Sequence, residues 1–272
     1  MKISIPSPIP RNIENLEEHK WKVALTLLLL FIFSAVVNIP FSNEIRRIQS
    51  QSGPIDPKLT EPIFDTILNV TVTSAIFGIV FIFLGLILSG KSYLGAPGVT
   101  SMFNSSKLNL YLNKRITFTS IIIAIIAALV LLGLLEIQKE FYPITSKHER
   151  PSKLFYILGS FVAAVSEEIL FRLGIMSAIV AVIRYLRESQ VPTNGTYWFA
   201  IIVSSLLFGL IHIPMTNNFA ELTVLTVSIT MIGNLITGTV FGYIFWKWGL
   251  LNAMIAHFVF DIVFHVIGTP FG

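Results

Sequence analysis

The stretch AVSEEILFRLGI, residues 164–175, places Glu167, Glu168 and Arg172 inside an apolar run that extends from Leu154 to Ile183. About 20 residues of helix cross a bilayer, so this run is long enough to be a transmembrane span, with three formal charges near its middle. The chain around it points the same way. Of 272 residues, 54% are hydrophobic and only 12% charged, where a soluble domain carries about 25% charged residues.

Working outward from that run, comparable stretches recur at Val23 to Phe41, Ile63 to Ser89, Ile116 to Leu135, Trp198 to Ile211, Leu222 to Trp246 and Leu250 to Ile267. Together they predict an all-α polytopic membrane helical bundle of about seven transmembrane helices, with six to eight as the range. Polar connections are short, so residues 1–272 read as a single integral membrane domain. The runs are too long and too little alternating for a β-barrel. Polar residues precede Trp21 and no small-residue cleavage site follows, so the first run reads as a span and not a signal peptide. Two interfacial segments are expected, around ENLEEHK (14–20) and NLYLN (109–113).

The chain has no cysteine, which removes disulfides, thiolate nucleophiles and cysteine metal ligands from consideration. Its net charge of +4 lies mostly in loops and tails, where basic residues set topology, and implies no nucleic-acid partner. The Lys and Arg distribution leans towards a cytoplasmic amino terminus. A multi-pass protein of the cell membrane, with the lipid bilayer as its surroundings, is the expected localisation.

Ionisable residues inside the later spans are few: Glu167, Glu168 and Arg172 in the fourth, His212 in the fifth, and His257, Asp261 and His265 in the seventh. Each charge at mid-bilayer costs roughly 2.5–3.5 kcal/mol on insertion scales, so these groups must be paired, hydrated or neutral. At about 100° per residue, Glu168 and Arg172 are about 40° from eclipsed, whereas Glu167 is about 140° from Arg172. Arg172 is therefore expected to neutralise Glu168, which leaves Glu167 without a cation in its own helix and makes it a candidate general base.

In the seventh span, AHFVFDIVFH spaces His257, Asp261 and His265 by four, which puts them on one stripe of an aromatic-rich helix. Asp261 is placed to orient either histidine. The fifth run ends FGLIHIP, and Pro214 is expected to interrupt the helix just past His212. Tyr243, Phe245, Trp246 and Trp248 read as an aromatic belt at a turn. His265 reads as an interfacial residue or an outer partner of the other groups.

Three motifs in order carry a resemblance. EEILFR (167–172) fits EExxxR, FGLIH (208–212) fits FxxxH, and HFVFD (257–261) fits HxxxN/D. The chain thereby resembles the CAAX prenyl endopeptidase and bacteriocin-processing family of intramembrane glutamate proteases, over a family-like catalytic core of residues 154–265. The resemblance implies a metal-independent endopeptidase acting on a lipid-modified or membrane-associated peptide or protein. It implies that Glu167 and His212 activate water, that His257 and Asp261 stabilise the oxyanion, and that Glu168 and Arg172 act as structural supports. Prenyl-processing members commonly have Asn where Asp261 stands. Either Asp261 carries a proton, or it orients and charges His257, which then donates; the second reading is preferred.

No cofactor is expected. A zinc enzyme is the weaker enzymatic alternative, because the chain has no HExxH. The non-hydrolytic alternatives are an inactive membrane scaffold or bacteriocin-immunity protein, and a proton-coupled carrier built on the intramembrane carboxylates and histidines.

Overall fold

A computed structural model of the chain describes residues 19–103, 113–144, 149–188 and 191–268. The two interfacial segments expected at 14–20 and 109–113 lie outside these ranges apart from His19, Lys20 and Asn113. Among the described residues every regular element is helical and no strand occurs. Seven helices are long and apolar enough to cross a membrane, which makes the protein an integral, multi-pass helical bundle.

The first span is a rod from Lys20 to Gln49, formed by α1 (Lys20–Val37) and α2 (Ile39–Gln49), with Pro40 in the opening turn of α2. The second span is α3 (Ile63–Ser92), followed by the short α4 (Pro97–Ser101) and the third span, α5 (Lys114–Phe141). The fourth span begins as α6 (Lys153–Glu167), passes through a π-helical stretch, Glu168–Met176, and ends as α7 (Ser177–Leu186). The fifth and sixth are α8 (Asn194–Phe219) and α9 (Val224–Trp248). The seventh joins α10 (Leu250–Asp261) to a π-helical turn, Ile262–Ile267.

Local sequence explains several of these boundaries. Asn113 starts α5 by accepting the Arg115 amide, and Thr193 starts α8 by accepting the Thr196 amide. Thr223 and Thr226 form a reciprocal cap on α9, satisfying amides that the first turn cannot. The α9–α10 turn hinges on Gly249 at φ +83°, where a side chain would be strained and would also meet Pro97.

The bundle is arranged so that the charged spans lie inside. Half of the most apolar window of the fourth and seventh spans is buried, against 22–33% for the other five. The fourth span packs against the first, second, fifth, sixth and seventh. With no hydrophobic drive between helices in lipid, close contact must come from small residues. Gly238 and Gly242 supply it between α8 and α9, where an added Cβ would lie 2.6 Å from Ser205 Oγ and 3.1 Å from Ile201.

Two expectations are corrected. Pro214 does not end the fifth span: α8 continues to Phe219, so His212 lies within the helix, almost two turns before its end. Proline is tolerated there because neighbouring groups re-satisfy the backbone, and the Thr216 hydroxyl donates to the His212 carbonyl at 3.1 Å. The aromatic residues of the sixth span are not a belt. Phe245, Trp246 and Trp248 are buried; Trp246 stacks on Tyr197 at 5.0 Å, and the Tyr197 hydroxyl donates to the Ser92 carbonyl. Their bulk is used to lock the fifth and sixth spans together and, through Tyr197, to tie them to the end of the second.

Candidate active site

The site is assembled where α6 gives way to the π-helical stretch. Glu167 is the last α-helical residue and Glu168 the first of the wider turn, in which the Ser177 hydroxyl reaches back five residues to the Arg172 carbonyl. Widened turns of this kind are uncommon and recur at functional sites. The regular 100° spacing assumed from sequence is therefore locally relaxed, and the two glutamates diverge.

Glu168 and Arg172 are both wholly buried, with Arg172 Nε 3.4 Å from Glu168 Oε2. The expected pairing is present, but as a Coulombic contact without hydrogen-bond alignment: none of the three guanidinium nitrogens has a hydrogen-bond partner among the described residues. The guanidinium instead lies 5.4 Å from the centroid of the Phe208 ring, a cation–π contact that is stronger when desolvated.

The other oxygen of Glu168 reaches across the bundle. His257 Nδ1 donates to Glu168 Oε1 at 2.9 Å, which fixes the ring and turns Nε2 towards Glu167 and Asp261. Its Nε2 lies 3.7 Å from Glu167 Oε2 and 3.7 Å from Asp261 Oδ2. Phe241 stacks on the imidazole with centroids 4.4 Å apart and planes 20° apart, while Phe208 meets it edge-on. The hydrogen bond that orients His257 thus comes from Glu168 and not, as the sequence suggested, from Asp261.

His212 is oriented from within α8. Its Nδ1 donates to the Phe208 carbonyl at 2.7 Å, one turn back, leaving Nε2 to face Glu167 Oε1 at 3.8 Å. Glu167 is thereby flanked by imidazoles from two other spans. Exposure separates the two carboxylates: the side chains of Glu167 and His212 keep 22% and 21% of their surface open, and Glu168 keeps none. Only Glu167 can meet a substrate.

The structure thus brings Glu167, His212, His257 and Asp261 together, with Glu168 and Arg172 behind them. His265 points elsewhere, stacked on Tyr156. Two contributors were not legible beforehand. Phe208 touches both histidines and Arg172, and was visible only as the first letter of its motif; Phe241, the ring that carries His257, had no motif signal. Among the described residues no three His, Asp or Glu side chains are grouped so as to hold a metal ion.

Comparison with known proteins agrees with the resemblance drawn from the motifs. Residues 150–263 match a family model described as Rce1-like, type II CAAX prenyl endopeptidase. The matched segment contains every residue of the constellation just described, and at family level it supports a CAAX-type membrane endopeptidase. No curated protein and no solved structure matches the chain.

Proposed function

We propose, with the family match as premise, that this chain is an intramembrane glutamate protease that hydrolyses a peptide bond of a lipid-modified or membrane-associated substrate without a metal. The observation that carries the reading is the placement of the Glu167 carboxylate 3.8 Å from His212 Nε2 and 3.7 Å from His257 Nε2. Those separations exceed a direct hydrogen bond and suit groups that act together through one intervening water.

In this reading Glu167 takes a proton from water as His212 Nε2 holds the same molecule, and the hydroxide attacks the scissile carbonyl. The tetrahedral oxyanion accepts a hydrogen bond from His257 Nε2–H, a task that typically contributes the largest share of acyl-transfer catalysis. His257 donates through both nitrogens as the imidazolium, to Glu168 and to the oxyanion, and Asp261 supplies balancing negative charge beside Nε2. Collapse breaks the C–N bond, Glu167 returns its proton to the departing amine, and a new carboxylate is left. Glu168 holds the oxyanion donor in place, and Arg172 holds Glu168.

A site enclosed by transmembrane helices selects substrates that are themselves in or on the bilayer. The test is cleavage of an S-prenylated peptide by the purified protein in lipid nanodiscs prepared in ¹⁸O water. Direct hydrolysis puts one heavy oxygen into the new carboxyl terminus in a single turnover. Transfer of heavy oxygen to Glu167 across repeated turnovers would instead establish a covalent glutamyl intermediate, and absence of any cleavage product would remove the reading.

A further inference from the structure

A second group of polar side chains sits at the end of the bundle where the fourth span starts and the seventh finishes, and the hydrolytic steps leave it without a task. His265 lies face to face with Tyr156, ring centroids 5.5 Å apart and planes within 8°. The Arg150 guanidinium rests on the same tyrosine, 4.8 Å from its centroid, and its Nε donates to the phenolic oxygen at 3.3 Å. Phe41 and Phe264 pack against Tyr156 and His265. Arg150 is partly buried, and its Nη1 is shielded from solvent with no hydrogen-bond partner among the described residues.

Such a stack has a bland purpose, to fix the chain as it enters α6. That purpose uses the face of the guanidinium and Nε. It leaves the terminal nitrogens, the pair of donors that matches a carboxylate in two parallel hydrogen bonds. No Asp or Glu pairs with Arg150 among the described residues, and the aromatic walls make its position rigid. The arrangement is that of an anion anchor.

The distance to the catalytic groups limits which anion. His265 follows His257 by eight residues, and Tyr156 precedes Glu167 by eleven. At about 1.5 Å per helical residue these offsets are about 12 and about 16 Å. An extended peptide covers about 3.3–3.6 Å per residue, so three to five residues bridge the gap.

We infer that Arg150, braced by Tyr156 and His265, is a specificity-determining residue that takes the free C-terminal carboxylate of the substrate and sets the cut about three to five residues from the chain end. This rests on the proteolytic reading above and adds the substrate class: peptides with a free carboxyl terminus close to the scissile bond.

The test compares one S-prenylated peptide in two forms, C-terminal acid and C-terminal amide, against the wild-type protein and Arg150→Gln in nanodiscs. Wild type is expected to prefer the acid by about ten- to a hundredfold in kcat/KM, mostly through KM. Arg150→Gln is expected to lose that preference while cutting the amide at the wild-type rate, and Arg150→Lys to restore part of it. Equal cutting of acid and amide by wild type, or a preference that survives in Arg150→Gln, overturns the inference and leaves the protease standing. Binding of both peptides to Glu167→Gln, which needs no turnover, separates the two claims. Acid-selective binding that depends on Arg150 supports the anchor even if no peptide is cut, and binding that ignores the terminus overturns it.

Discussion

Glu168 and His257, 89 positions apart in sequence, share a 2.9 Å hydrogen bond between two buried side chains of different spans. The bond fixes which nitrogen of His257 faces Glu167, so the second glutamate of the motif serves the site through the histidine. Glu168→Gln keeps an acceptor for Nδ1–H, whereas Glu168→Ala also strands the Arg172 charge. Breaking a buried pair this way costs about 3–5 kcal/mol. The alanine variant is expected to melt well below the glutamine variant in thermal unfolding in detergent, and both to lose activity. Equal melting temperatures would show that Arg172 does not depend on Glu168.

Arg172 gives a second, independent prediction. Replacing it alone, as Arg172→Met, leaves Glu168 buried with one partner fewer. Replacing both, as Glu168→Gln with Arg172→Met, removes the charges together and is expected to recover at least half of the stability lost by the single variant. Additive losses in the double-mutant cycle would mean that the 3.4 Å contact carries no coupling.

Phe241 makes no contact with Glu167 in the list of ring and ion-pair contacts, yet its ring carries His257. Phe241→Leu is expected to lower kcat by about tenfold with little change in KM, because it loosens the oxyanion donor by a fraction of an ångström. A change confined to KM would assign the ring to substrate binding instead.

The reaction as proposed routes no step through a metal. Cleavage is expected to persist at its full rate after treatment with 1,10-phenanthroline or EDTA, and added Zn²⁺ is expected not to raise it. Loss of activity on chelation, restored by one metal, would move the site to the zinc alternative.

The fold was largely legible in the sequence because a bilayer imposes length and polarity on every span, and all seven apolar runs from Val23 to Ile267 lie within the seven helices. The charged residues could be grouped by the same logic, since Glu167, Glu168, Arg172, His212, His257 and Asp261 have no reason to lie in lipid singly. What sequence could not supply was direction. The π-helical stretch from Glu168 departs from regular spacing, and no residue pattern marked it. The partner of His257 was misassigned to Asp261 because only contacts within one helix can be read from spacing, and the Glu168 bond runs between helices. Pro214 was overweighted as a helix breaker, and Trp246 and Trp248 were mistaken for interface anchors although tertiary packing buries them.

The most direct test of the account is the single-turnover cleavage rate of Glu167→Gln, measured beside its melting temperature in nanodiscs. The glutamine keeps the shape of the side chain and cannot take a proton from water. The rate is expected to fall by about a thousandfold or more, at the upper end of what general-base catalysis contributes, with an unchanged melting temperature. A Glu167→Gln protein that cuts the same peptide at the wild-type rate would contradict the claim that this carboxylate, set between His212 and His257, is the base.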